Sequence, residues 1–348
     1  MASPLRVGLV GYGFAGRTFH APLIASVDGL ALAAIASSDP QRVLAQWPGV
    51  RVVPDYAALA VDPAIDLVVI ATPNDSHHAL ARTALTAGKH VVVDKPFTVT
   101  LAEADELCAL AEHVGRVLSV FHNRRWDGDF LSLRQQIESG VLGEVREFIS
   151  RFDRFEPQPR DRWRERAGPG AGLWFDLGPH LIDQAVCLFG PPLTVSADIA
   201  ALRDGAEADD FAQVVLGYAQ RRVTLHCTRL AAHAAARFEA HGTRGSFHCV
   251  GLDTQEDQLR AGSMPGCKSW GQDPRPAYIT DGLGTPRRTH ELARLPGDYR
   301  RYYAAVRDAV LGVGPNPVPP AEARRVMAIL ACARDSADRG MRVNFDDS

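Results

Sequence analysis

The amino-acid sequence predicts two domains of different fold class. Residues 1–123 are expected to form an α/β domain with a doubly wound parallel sheet, and residues 124–348 an α+β domain with an open, mainly antiparallel sheet. Three observations support this division. Apolar strand-like segments alternate with helical patterns up to residue 121, a glycine-rich turn follows the first of these strands, and longer strand patterns with few intervening helices follow residue 140.

The first domain contains strand-like segments that are apolar throughout, which is typical of parallel strands covered by helices on both faces. Between them, apolar residues recur at helical spacing. Asp39, just before Pro40, is expected to cap a helix, whereas Gly88 and Gly115 are suited to helix ends. The expected strands are residues 5–10, 30–36, 50–53, 66–71, 90–93 and 117–121, and the expected helices include 17–25, 77–87 and 101–113.

The second domain opens with a predicted helix at 130–139, which ends at Gly140. Strand patterns then follow one another through short turns, which indicates an antiparallel sheet. Residues 251–295 are rich in glycine and proline and are expected to be irregular. Two closing helices are expected at 299–310 and 321–338. The expected strands are residues 144–155, 193–202, 210–218, 222–230, 237–240 and 246–250.

Composition narrows the class of protein. The chain has 348 residues, 46% of them hydrophobic and 23% charged, as in an ordinary globular protein. With 38 basic and 41 acidic residues the net charge is −3, so we expect neither a nucleic-acid nor a membrane partner. The six cysteines form no C-x-x-C pair, so we expect reduced thiols and no metal site. The first strand starts almost at Met1, which leaves no room for a targeting peptide and favours the cytoplasm.

The glycine-rich turn at 11–16 has the pattern G-x-G-x-x-G between an apolar strand and a helical segment. A strand that delivers this turn into a helix places a dinucleotide pyrophosphate at a helix N-terminus, where backbone N–H groups and the helix dipole favour negative charge. The same letters also occur in surface turns, but this context favours a nicotinamide or flavin dinucleotide. The expected cofactor contacts are Gly11, Tyr12, Gly13, Phe14, Ala15 and Gly16.

Polar residues follow the fourth and fifth predicted strands, where ligands bind on such sheets. Asn74 is placed to hydrogen-bond the nicotinamide ribose or amide, although residues 73–75 also suit a turn and a helix cap. Lys95 is expected to point to the same edge; taken alone, it is better explained as a solvated lysine beside Pro96.

A third segment carries an acid and a histidine four residues apart. Pro179 suits the first turn of a helix, which would present His180 at its start and Asp176 near the same edge. A histidine can exchange a proton with a hydroxyl, and a nearby carboxylate can orient it. The alternative is that Asp176 only caps the helix and His180 is a core residue.

Together these segments resemble the Gfo/Idh/MocA oxidoreductases over essentially the full length. The resemblance implies a Rossmann domain, catalysis by Lys95, Asp176 and His180, an often cis Lys95–Pro96 peptide, and homodimers or homotetramers through the C-terminal sheet. Residues 11–23 and 162–165 are most similar to an NADP-linked scyllo-inositol dehydrogenase-like branch. Asp94 stands where the family usually has glutamate. Residues implied at the cofactor are Thr72, Pro73, Asn74, His77 and Lys95.

The end of the second predicted strand bears on the choice of cofactor. An NAD enzyme usually has an acidic residue there, which accepts hydrogen bonds from both ribose hydroxyls. The aligned position holds Ser37, and Asp39 is better explained as a helix cap. Ser37 and Ser38 are suited to donate to a 2′-phosphate, and Arg42 supplies charge. We therefore expect NADP in preference to NAD.

The resemblance implies a substrate that is a cyclic polyol or sugar and that reacts at a secondary alcohol. Arginine and tryptophan together suit a polyhydroxylated or phosphorylated ring, although acids between residues 151 and 166 also fit a solvated surface. Alternatives are a sugar or dihydrodiol dehydrogenase, a non-catalytic nicotinamide-responsive regulator, cofactor-assisted glycoside cleavage and a flavin enzyme. The expected substrate contacts are Lys95, Asn123, Arg124, Arg162, Trp163, Asp176 and His180.

Overall fold

The computed structural model of the chain describes residues 3–347 and contains two compact units. The first unit holds the chain up to Asn123, together with Gln255–Trp270 and Asp298–Met327. The second holds Arg124–Thr254, Gly271–Gly297 and the chain from Ala328 onwards. The sequence interpretation had given all of 124–348 to one domain, whereas two of its segments pack with the first unit.

The first unit is built on a six-stranded parallel sheet with the order β3-β2-β1-β4-β5-β6. β4 and β6 are fully buried, as are the last four residues of β1, so the continuous apolar runs in the sequence reflect helices on both faces. The strands are β1 (Leu5–Val10), β2 (Leu30–Ala36), β3 (Arg51–Val53), β4 (Leu67–Ile70), β5 (His90–Val93) and β6 (Leu118–Val120). The helices between them are α1 (Ala21–Ala25), α2 (Pro40–Gln46), α3 (Tyr56–Ala60), α4 (His77–Thr86) and α5 (Leu101–His113).

The strand order of this sheet determines where a ligand can bind. The chain runs outward from β1 in one direction and then returns to continue from β4 in the other. The carboxyl ends of β1 and β4 therefore flank the switch point at which doubly wound sheets bind dinucleotides. Helix α1 is preceded by a π-helical turn at Gly16–His20. The expected helix at 17–25 is therefore a π-helical segment followed by an α-helical one.

The second unit is built on a nine-stranded mixed sheet with the order β14-β13-β12-β11-β7-β10-β9-β8-β15. Only the pair β7–β10 is parallel among the described strands, and the other pairs are antiparallel, as predicted. In chain order the elements are α6 (Gly128–Glu138), β7 (Val145–Arg151), α7 (Leu173–Phe189), β8 (Thr194–Ala200), β9 (Phe211–Gly217), β10 (Arg222–Thr228), β11 (Ala236–Gly242) and β12 (Gly245–Val250). The remaining elements are α8 (Gln255–Arg260), β13 (Ala277–Asp281), β14 (Thr289–Leu292), α9 (Arg300–Val310), α10 (Pro320–Arg339) and β15 (Val343–Asn344).

Two predictions about the second half of the chain are wrong. Residues 251–295 are not irregular throughout, because they contain α8 and the hairpin strands β13 and β14. β13 pairs with β12, so the partner that stabilises this hairpin is supplied by another part of the chain and not by local propensity. Helix α9 belongs to the first unit because its buried face packs there: the Tyr302 hydroxyl donates to Ser119 Oγ at 3.0 Å.

Candidate functional site

The turn after β1 has the geometry of a phosphate cradle. Gly11 has φ +99°, and a Cβ there would lie 2.7 Å from the carbonyl oxygen of Ala71. A Cβ on Gly16 would lie 2.1 Å from the carbonyl oxygen of Gly11. Gly13 differs, because a Cβ there would have no described protein atom within 4 Å. The chain's own packing therefore explains the first and third glycines, whereas the second opens onto free space, as close approach of a pyrophosphate requires.

The acid that follows β2 is Asp39, and it serves as a helix cap. The Asp39 carboxylate accepts the Arg42 N–H at 3.0 Å and caps α2, which confirms the predicted cap. The Ser37 hydroxyl is buried and accepts the Asp39 N–H at 3.1 Å. Ser38 and the Arg42 side chain are exposed. Two hydroxyls and a guanidinium thus lie at the position where an NAD enzyme usually has a carboxylate.

Tyr12 connects this region to the glycine turn. Its hydroxyl accepts the Trp47 indole N–H at 2.9 Å and donates to Gln46. Burial raises the pKa of Tyr12, and the positive charges of Arg17 and Arg42 oppose this increase. Both arginines therefore lie close enough to Tyr12 to influence its charge. Sequence analysis did not select Arg17, whose only signal was its place directly after the third glycine.

His77 lies between the ends of β4 and β5. Its Nδ1 is 2.9 Å from the carbonyl oxygen of Pro96, and its Nε2 is 3.0 Å from that of Thr72. Burial lowers the pKa of His77, although the negative charge of Asp94 opposes this. The imidazole therefore contacts backbone on both sides, which places it to hold the segments that contain Thr72 and Pro96 together. Asn74 is buried beside it, on the same loop, at 5% exposure.

Asp94 and Lys95 directly follow β5, and Asp94 lies beside the buried side chain of His20. The Lys95 N–H donates to Asp94 Oδ1 at 2.8 Å, and His20 Nε2 lies 3.7 Å from the same oxygen. The other ring nitrogen of His20 is 2.5 Å from the hydroxyl of Tyr303. Burial alone would raise the pKa of Asp94, but His20, Lys95 and His77 outweigh it and hold this pKa below its usual value. The Lys95–Pro96 peptide is cis.

In the second unit, Asp176 and His180 lie on α7, but not where the sequence placed them. The helix begins at Leu173, so Pro179 is an interior residue and His180 is not in the first turn. The first turn is satisfied by Asp209, whose carbonyl and carboxylate accept the Leu173 and Trp174 N–H groups at 2.8 and 2.7 Å. This partner lies far away in sequence, so local signals could not show the true start.

The spacing of four residues places Asp176 and His180 along the same side of α7. His180 is 5% exposed, and its ring stacks on Phe152 with a centroid distance of 6.4 Å. The Nε of Arg164 is 3.8 Å from Asp176 Oδ1. Phe152 itself is buried and contacts three guanidinium groups, those of Arg124, Arg154 and Arg237.

The loop before α7 holds the other predicted substrate residues in different ways. Arg162 donates to Glu165 at 2.6 Å, so it takes part in an internal ion pair. Trp163 is 38% exposed, and the Arg164 guanidinium lies 4.8 Å from its ring centre. Glu165 also accepts from Arg203 at 2.9 Å; burial would raise its pKa, but its hydrogen bonds lower it to about 2. Asn123 is buried at the end of the first unit.

Within the first unit, the structure thus brings the predicted residues of the β1, β2, β4 and β5 ends to one edge of the sheet. Within the second, it groups Asp176 and His180 with the loop at 162–165. Sequence analysis missed Arg17 and Tyr303 and gave no role to Phe152. Among residues 3–347, no three His, Cys, Asp or Glu side chains are grouped to hold a metal ion. No described helix has the length and apolar character needed to cross a membrane.

A glycine cradle at the switch point of a doubly wound sheet is typical of dinucleotide-binding domains, and here a second α+β unit is joined to it. Residues 5–122 match the NAD-binding Rossmann fold of the Gfo/Idh/MocA oxidoreductase family, and residues 134–345 match its C-terminal alpha/beta domain. The chain therefore belongs to this family, whose members act as dehydrogenases on alcohols. The class expected from the sequence is confirmed.

Similar proteins span the whole chain. The uncharacterized oxidoreductase YdgJ of Escherichia coli is 55% identical, over 97% of both chains. The scyllo-inositol 2-dehydrogenase (NADP(+)) IolW of Bacillus subtilis is 35% identical, over 96% of this chain and 94% of its own. A crystal structure from Klebsiella pneumoniae, described as an oxidoreductase, is 52% identical with a TM-score of 0.93 and covers 99% of this chain and 96% of its own.

Proposed function

We propose that the chain is an NADP-linked dehydrogenase that interconverts a secondary alcohol and a ketone on a cyclic polyol or sugar, with an inositol-like ring favoured. The observation that carries the cofactor preference is the end of β2, where Asp39 is used as a helix cap and Ser37, Ser38 and Arg42 remain. A guanidinium and hydroxyls suit a 2′-phosphate, which a carboxylate would repel. The relative IolW is named for NADP and for scyllo-inositol, which supports both parts.

The proposed chemistry divides between the cofactor and the chain. A bound nicotinamide supplies the site that accepts or returns the hydride. His180 takes the proton of the substrate hydroxyl, and Asp176, four residues earlier on α7, assists it. Lys95 donates to the substrate oxygen and stabilises the negative charge that develops there. The joint action of Lys95 with Asp176 and His180 rests on the family to which the chain belongs.

The first experiment measures nicotinamide absorbance with a panel of inositols and aldoses, using NADP and NAD in parallel. We expect NADP reduction with scyllo- or myo-inositol and little with NAD. The Arg42→Ala variant is expected to lose about tenfold in kcat/KM with NADP and to keep its value with NAD, because only the phosphate contact is removed. A wild-type preference for NAD would overturn the cofactor assignment and keep the dehydrogenase.

A second candidate is a dehydrogenase of sugars or glycosides. It is favoured by a relative from Escherichia coli named D-glucoside 3-dehydrogenase, which is 32% identical over 57% of this chain. Oxidation of glucosides but not of inositols would select it. Tight cofactor binding without turnover on any substrate would favour a regulator instead. The homodimer or homotetramer expected through the second sheet stays a prediction, which sedimentation of the purified chain tests.

A further inference from the structure

We propose that Arg154 is a specificity-determining residue and that it binds an anionic group, a carboxylate or a phosphate, on the substrate. This inference rests on the proposed function, because it narrows the polyol or sugar to one that carries a negative charge.

Arg154 shares its aromatic neighbour with the candidate proton-transfer residue. It follows β7, and its guanidinium lies 5.2 Å from the ring centre of Phe152. His180 stacks on the same ring, with an angle of 23° between the two ring planes. Phe152 has no exposed surface and contacts both side chains, so they share one buried neighbour. A group bound by Arg154 would therefore lie near the part of the second unit that carries His180.

The charges around Phe152 are compensated with one exception. Arg124 Nη1 lies 3.3 Å from Asp127 Oδ2, and Arg237 Nε lies 3.8 Å from Asp129 Oδ2. Arg154 differs, because within residues 3–347 its guanidinium has neither a carboxylate within 4.0 Å nor a hydrogen bond. Its hydrogen bonds are made by its backbone alone.

The same contrast holds along the sequence. Every other arginine from 146 to 166 lies within 4.0 Å of a carboxylate in the described part of the chain, so this stretch consists of neutralised pairs with one uncompensated cation. The pairs are Arg146–Glu144, Arg151–Glu239, Arg160–Glu156, Arg162–Glu165, Arg164–Asp176 and Arg166–Asp161.

The space beside Arg154 is suited to a small charged group. Arg154 borders a cleft of about 250 Å³ in the second unit, which is also lined by Arg151, Asp153 and residues 231–237. This volume is below the range of pockets that enclose a whole ligand, so it has room for a substituent. The planar guanidinium matches the two oxygens of a carboxylate or phosphate, which it binds with a pair of charge-assisted hydrogen bonds.

The test compares ligands that differ only in charge. Calorimetry with the NADP-loaded protein measures the affinities of D-glucose, D-glucuronate and D-glucose 6-phosphate, and of inorganic phosphate alone. We expect at least one of the charged sugars to bind about tenfold or more tightly than glucose. The two charged sugars separate a carboxylate site from a phosphate site. Arg154→Met is expected to abolish the difference, and Arg154→Lys to retain part of it.

Arg146→Met is the matched control, because it removes an equal charge near the start of β7, where Arg146 pairs with Glu144, whereas Arg154 follows the end of that strand. It is expected to keep the wild-type preference for the charged sugar. Thermal unfolding of each variant establishes that it is folded. Equal affinities for glucose and both charged sugars overturn the inference, as does a preference that persists in Arg154→Met or the absence of binding by every anionic probe. Failure of the proposed function is a different result: no cofactor reduction by any alcohol, charged or neutral.

Discussion

The two units hold their candidate functional residues by different kinds of contact. In the first unit the contacts involve backbone: His77 lies between two carbonyl oxygens, and the Lys95 N–H donates to Asp94. In the second unit the contacts are ion pairs between side chains, such as Arg162 with Glu165. Backbone groups keep their polarity at every pH, whereas an ion pair depends on the charge of both partners.

The largest expected effect tests whether the second unit supplies chemistry as well as binding. His180→Ala should lower kcat by about 10²–10⁴-fold, because it removes the proposed proton acceptor. The control is His226→Ala, since His226 belongs to the same unit but pairs with Asp153 at 2.8 Å. Steady-state kinetics with the true substrate measures both. A wild-type kcat in His180→Ala would remove this residue from catalysis.

The second prediction tests the backbone contacts of the first unit. His77→Leu removes the side chain that joins Thr72 to Pro96, so the loops that carry Asn74 and Lys95 lose their common support. A misplacement of about 1 Å in such groups costs about 100-fold, and kcat/KM for the cofactor should fall by this order. His78→Leu is the matched control, because the adjacent His78 bonds Glu106 on the surface. Unchanged cofactor kinetics in His77→Leu would contradict the positioning role.

The same contrast explains how much could be predicted from the sequence. The parallel sheet, the glycine cradle and the Asp39 cap depend on partners a few residues apart or on the burial of whole strands, which leave a pattern in the sequence. The contacts that join Asp94 to His20 and His20 to Tyr303 leave no such pattern in the sequence. His20 and Tyr303 are 283 positions apart, and no spacing rule joins them.

In the second unit, sequence reasoning predicted the spacing of the candidate residues more accurately than it predicted their surroundings. Asp176 and His180 do lie along one side of a helix, but the start of that helix depends on Asp209, so Pro179 gave the wrong boundary. Arg162 was selected as a substrate contact from its charge. Its partner Glu165 was visible three residues later, whereas Arg203, which completes the group, was not.

The third prediction uses pH to measure how much the ion pairing of Glu165 stabilises the second unit. The pKa of Glu165 is lowered to about 2, so its pairing stabilises the fold fully above its ordinary pKa. This contribution is lost as the pH falls from the ordinary value through about 2, because the carboxylate must then be protonated. Urea unfolding at pH 7 and pH 3 should show about 2 kcal/mol more acid-dependent loss in the wild type than in Glu165→Gln. Equal losses in the two proteins would show that the pair is not responsible.

The smallest expected effect separates cofactor affinity from fold stability at the glycine turn of the first unit. Gly13→Ala adds a methyl group where no described protein atom lies within 4 Å, so the free energy of unfolding should change by less than about 0.5 kcal/mol. The methyl group would occupy the space left for the pyrophosphate, and the dissociation constant of the cofactor should rise by about tenfold.

Gly16→Ala is the contrasting variant, because its methyl group would collide with the Gly11 carbonyl oxygen and reduce stability even without cofactor. Fluorescence titration and thermal unfolding separate the two outcomes. A Gly13→Ala protein with wild-type cofactor affinity would mean that the phosphates lie elsewhere, since no feature of the chain's own packing requires glycine at this position.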